Sequence, residues 1–176
     1  MANQRLTDKT ELAEQTGSGD LLMVVDVNDT TGSADGTSKK MDFKYLMQTD
    51  KISVSNAEAQ ALNSTPKTLV GALSGYMITV YNVTILCTYA ASTEGSAESL
   101  TLSYDASDPT NYWYQFRRFM NGITTDASFC LPPTPSSAGT CKSTLLNKPF
   151  ELTATGAFDG GWTADVYVTY AYTKVL

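Results

Sequence analysis

The residues that could carry chemistry in this chain are few, and their spacing suits little of it. Asp105 and Asp108 come nearest to a carboxylate pair. Acid–base cleavage of a glycosidic bond needs two carboxylates facing one another across a cleft. These two sit in the stretch DASDPTN, where Asp is common because it hydrogen-bonds its own turn. Residues 26–32 (DVNDTTG) begin like a calcium loop. Position six is Thr31 rather than Gly, however, and position twelve is Thr37 rather than Glu, so a polar hairpin loop without metal is the expectation. Cys130 and Cys141 flank LPPTPSSAGT. A disulfide there would contribute about 2–3 kcal/mol, but in a reduced cytoplasm both stay thiols, which is the favoured reading. Cys87 falls on the apolar phase of a strand and is expected in the core. Tyr112, Trp113 and Tyr114, with Arg117 and Arg118 nearby and Trp162 beside Gly160 and Gly161, have the flat aromatics that stack on sugars. The plainer reading puts these aromatics in the core and at a subunit interface.

Composition narrows the chemistry further. The chain has 176 residues and no histidine, which removes Ser-His-Asp and Cys-His catalysis and every His-ligated metal site. Three cysteines make neither a disulfide framework nor a four-Cys metal site. A net charge of −6 is poor for phosphate contact, so no nucleic acid is expected. No run of 18 apolar residues exists, so no membrane insertion is expected. The first residues, MANQRLTDKTELAEQ, lack the apolar centre of a secretory signal. These observations predict a protein that is not an enzyme and needs no cofactor.

The elements that would position these residues are strands. The chain holds 25 Thr and 16 Ser, and Thr with Tyr, Val and Phe suits pleated, half-exposed surfaces. Apolar residues alternate over 163–175, 98–104 and 150–155. Over 75–89 the apolar phase runs Ile78, Val80 and then slips to Val83, Ile85, Cys87 and Tyr89, which predicts a bulge near Asn82 or a strand that changes sheets. Asn121-Gly122 and Asp159-Gly160-Gly161 read as turns. The fold class predicted is all-β: an N-terminal extended or hairpin anchor, a short helical connector and a C-terminal antiparallel, jelly-roll-like β-sandwich.

Charge divides the chain. Residues 1–51 hold six Lys/Arg and nine Asp/Glu, whereas residues 68 to 116 contain no Lys or Arg. The division predicted is an N-terminal segment 1–50, a connector 51–75 and a sandwich body 76–176. In the first, residues 20–27 (DLLMVVDV) read as a strand buried on assembly, and residues 38–43 return as its hairpin partner. A lone hairpin is marginal in water, so Leu21, Leu22, Val24, Val25 and Val27, supported by Lys39, Lys40 and Met41, are the candidate docking residues. In the connector, Ser55 and Glu58 have the spacing of a capping box, and Pro66 suits the first turn of a second short helix.

The N-terminal segment resembles the attachment segment that opens minor virion and fibre proteins of tailed bacteriophages. The residues that carry it are 6–12 (LTDKTEL), 19–27 (GDLLMVVDV), 29–31 (DTT), 36–41 (GTSKKM) and 46–48 (LMQ). It covers about a quarter of the chain. The resemblance implies a homotrimer in the virion, anchored by its N-terminus to capsid or tail proteins, with an outward β body. Long tail fibres carry a repetitive shaft, and these 176 residues hold no repeat. The expectation is therefore a compact component: a capsid decoration or head fibre, or a short tail or baseplate component. Assembly in the host bacterial cytoplasm goes with the lack of a signal peptide. The alternative is a lectin-like module binding a host surface glycan through Tyr112, Trp113, Tyr114 and Trp162.

Overall fold

A computed structural model describes residues 21–32, 34–42, 46–90, 92–107, 112–131 and 145–174. The chain divides into two compact units, 1–46 and 47–176.

In the first unit, β1 (Leu21–Asp26) pairs antiparallel with β2 (Thr37–Asp42), with Leu22 opposite Met41, Val24 opposite Lys39 and Asp26 opposite Thr37. Asp26 accepts the Asn28 N–H at 3.1 Å, and Asp29 accepts the Thr31 N–H at 3.1 Å. Such turns are what Asp does in a loop. The hairpin closes tightly at Gly36, whose φ is +115°, where a Cβ would meet the Asp26 carbonyl oxygen at 2.8 Å. Glycine alone tolerates that position.

Among its described residues the second unit holds eight strands and one helix: β3 (Gln48–Val54), α1 (Asn56–Ala61), β4 (Lys67–Val70), β5 (Tyr76–Tyr89), β6 (Leu100–Tyr104), β7 (Tyr112–Phe116), β8 (Ala127–Leu131), β9 (Phe150–Ala154) and β10 (Trp162–Lys174). They form two antiparallel four-stranded sheets, ordered β3-β10-β5-β8 and β4-β9-β6-β7. Successive strands lie in opposite sheets except for the β6–β7 pair. Eight strands wound this way between two sheets make a jelly roll. The all-β sandwich with a short helix that the alternation predicted is the fold observed.

Period two explains which residues fill it. On β10, Trp162, Ala164, Val166, Val168 and Tyr170 are buried, and the residues between them are half-exposed. Ile78, Val80, Val83, Ile85 and Cys87 do the same on β5. The β5–β10 register jumps from Asn82 opposite Thr169 to Val80 opposite Tyr170, leaving Tyr81 as the extra residue. That is the bulge the slipped phase predicted. Burying each Val or Ile contributes about 1.5–3 kcal/mol. One end of the core is aromatic: Phe119 lies 5.3 Å from Trp162 and 5.0 Å from Phe129, centroid to centroid.

Residues 51–75 contribute most of β3, together with α1 and β4. The predicted capping box is present. The Ser55 hydroxyl accepts the Glu58 N–H at 3.3 Å, and the Glu58 carboxylate accepts the Ser55 N–H at 2.8 Å. The second helix expected after Pro66 is instead strand β4, paired with β9. A helix so short has a costly nucleus. Pairing with β9 satisfies the same backbone and buries Leu69 and Val70.

Candidate functional site

The hairpin of the first unit leaves Leu22, Met23, Val25 and Val27 in solvent. Adjacent side chains on a strand point to opposite faces. One face therefore carries Leu22, Val24, Lys39 and Met41; the other carries Met23, Val25, Ser38 and Lys40. Met23 is 77% exposed, Val25 58% and Val27 69%. Leu22 is also exposed, whereas Val24 and Met41 are half-buried. Leu21 opens β1 opposite Asp42. Above them the Lys39 ammonium lies 2.9 Å from the Asp26 carboxylate and 2.8 Å from that of Asp29. The Lys39 hydrogen bond, chiefly, holds both carboxyls below the usual range, and the two acids, Asp29 first, raise Lys39 to about 12. The loop that began like a calcium site thus turns its acids onto a lysine. Among the described residues no three His, Cys, Asp or Glu side chains are grouped to hold a metal ion.

Of the aromatics weighed for sugar stacking, the two tryptophans are in the core. Trp162 is 1% exposed and Trp113 9%, the latter packed edge-on against Phe150 at 5.9 Å. Neither presents an exposed ring face. Tyr114 is half-buried against Phe116, 4.8 Å between centroids. The cause lies in β7: its register against β6 shifts between Leu102 and Ser103, so Tyr114 pairs with Leu102, Tyr112 pairs with Ser103, and Trp113 is the extra residue. Arg117 and Arg118 are exposed beyond the strand.

Among the described residues the buried acid is Glu94, which no motif singled out. It is 1% exposed. One carboxylate oxygen accepts the N–H groups of Ser96 at 2.9 Å and Asp159 at 3.1 Å. The other accepts the Gly160 N–H at 3.0 Å and the Trp162 indole N–H at 3.2 Å. Burial raises this carboxyl, but Ser96 and the N–H groups of Gly160 and Asp159 lower it by more, so it stays ionised below the usual range. A general acid would need the opposite shift. Glu94 is a clamp between the loop after β5 and the turn before β10. The visible signal was only the Gly160-Gly161 pair: both have positive φ, and Gly160 gives its N–H to Glu94 while Gly161 gives its own to Asn56 Oδ1.

The other candidates resolve simply. Asp105 is ion-paired with Lys148, whose hydrogen bond is the main cause of its lowered pKa. Asp108 lies outside the described residues. Cys87 is buried, and desolvation pushes its thiol up to about 12. Cys130 is exposed on β8, and Cys141 lies outside the described residues.

No protein family's sequence profile matches this chain, and no curated protein matches it. Solved structures show distant similarity. PRD1 vertex protein P5 is 17% identical, with 94% of this chain and 92% of that one covered, at a TM-score of 0.40. The cyanophage Pam1 capsid asymmetric unit is 12% identical, covering 98% and 99%, at 0.36. The heated full particle of Israeli acute paralysis virus is 12% identical, covering 96% of each chain, at 0.31. At such TM-scores the likeness carries no argument about role.

Proposed function

We propose that this protein is a non-enzymatic structural component of a virus particle, anchored to other virion proteins through the β1–β2 hairpin. The observation that carries the reading is the bare apolar face of that hairpin: Met23, Val25 and Val27 are each more than half exposed. A two-stranded ribbon gains stability only when such a face is covered. Capsid or tail protein is the partner that the N-terminal resemblance implies. The jelly roll of the second unit supports the reading by analogy, since this fold builds viral capsid domains, although it also builds lectins. A capsid decoration or head fibre fits better than a long fibre; a short tail or baseplate component fits the same features. Self-association as a trimer belongs to this reading. Its support is the outer face of the first sheet, where Thr49 meets Thr169 and Thr79 meets Thr173, where Leu86 is exposed, and where Lys51 and Asp165 neutralise one another at 2.8 Å.

The test is incorporation into particles. Full-length protein carrying Val25→Glu and Val27→Glu should fold normally yet be lost from purified particles, while Val25→Ile should be retained. A double Glu variant that still incorporates would sink the anchor.

A further inference from the structure

The outer face of the second sheet carries a groove of about 330 Å³, floored by β9, β6 and β7 and bounded by Asn63 after α1 and Ala106 after β6. Thr101, Ser103, Gln115 and Thr153 line it. Leu100, Leu102 and Tyr104 of β6 fill the core, so Thr101 and Ser103 face the groove, yet they are only 7% and 1% exposed. Among the described residues the Ser103 hydroxyl has no hydrogen-bond partner, and Thr101 accepts a long 3.4 Å bond from the Gln115 amide. Buried polar groups are almost always satisfied, by protein, water or ligand, and an exception calls for an explanation.

The lining selects the ligand. Among the described residues, no charged side chain lines the groove. The acids at its margin are already engaged: Glu151 accepts the Ala106 N–H at 2.8 Å, and Glu98 accepts the Thr155 hydroxyl at 2.6 Å. A phosphate or carboxylate would therefore meet no countercharge, and an apolar ligand would strand the hydroxyls. A neutral molecule dense in hydroxyls both donates and accepts at the spacing of Thr, Ser and Gln side chains. The volume lies at the small end of ligand sites, roughly 300–1,000 Å³. We propose that this groove binds a neutral saccharide unit, with the Ser103 hydroxyl and the Gln115 amide as its central contacts. The site is separate from the buried tryptophans.

The test is an NMR titration of the full chain with glucose, galactose, mannose, rhamnose and N-acetylglucosamine, followed by an array of neutral bacterial polysaccharides. At least one sugar should shift the amides of Thr101, Ser103, Gln115 and Thr153. Ser103→Val and Gln115→Ala should each weaken that binding by at least about tenfold, with melting temperature unchanged or raised in Ser103→Val. If one variant misfolds, Thr101→Val reports on the neighbouring hydroxyl. Three results would overturn the proposal: no sugar binds, binding survives all the variants, or the groove amides shift with protein concentration as the mass rises, which would mean that a second copy covers the groove.

Discussion

Glu94 holds two loops together through four N–H donors, and this makes it the residue on which pH should act. Its folded pKa lies below the ordinary value of 4.5. A depressed carboxyl contributes stability that is present above its ordinary pKa and lost as pH falls through the folded value. Glu94→Gln keeps the shape but sets an amide NH₂ against N–H donors. It should cost about 2–3 kcal/mol in urea unfolding at pH 7, and the gap to the unsubstituted protein should narrow below about pH 4.5. A gap that stays constant into acid would refute the clamp. Its neighbour Gly161 is more stringent. Its φ is +84°, and a Cβ would stand 1.8 Å from the Ser92 carbonyl oxygen. Gly161→Ala should lose about 3 kcal/mol or more, since strain and a backbone clash act together. Neither role was legible in advance, because a single Glu in a Ser/Thr/Gly-rich stretch announces nothing about which N–H groups will surround it.

At the scale of elements, the features set by neighbours in sequence were legible. The Ser55/Glu58 box needs only a three-residue spacing, and Ser55→Ala should cost about 1 kcal/mol, measured by chemical unfolding. Glu58 is held at about 2, chiefly by its hydrogen bond from Lys67. The cap should therefore persist at neutral pH and be lost as pH falls from 4.5 towards 2, while an element without such an acid keeps its stability. The Tyr81 bulge was visible as a slipped alternation, because inserting one residue flips every later side chain. Strand β4 was not visible. Its four residues (KTLV) are too few for a period, and its partner β9 lies about eighty residues away in sequence. Strand β8 (ASFCL) was missed for the same reason.

At the scale of the whole molecule, the first measurement is mass. Light scattering of the full chain over a concentration range should give a trimer. The double substitution Leu86→Glu and Tyr81→Glu, on exposed side chains of β5, should shift it towards monomer without lowering the melting temperature of the monomer. A monomer at all concentrations would remove self-association from the reading and leave attachment to the partner as the only assembly contact. The hairpin variants should leave this mass unchanged, because the anchoring face is assigned to a foreign partner rather than to a second copy.

Local order in the chain determined the class of fold: period-two runs, turn glycines and the helix cap act over a few residues, so they can be read without coordinates. The absence of histidine excluded whole mechanisms for the same reason, since composition does not depend on folding. Only the tertiary structure decided what faces what. Trp113 and Trp162 admitted both a stacking and a core reading in sequence, and the β7 register shift and the Glu94 clamp bury both. Ser103 falls on the polar phase of the 98–104 alternation, and only the fold makes it a buried hydroxyl at the floor of a groove. Burial is fixed by contacts between distant segments, and alternation states only that two faces differ, not which of them water will reach.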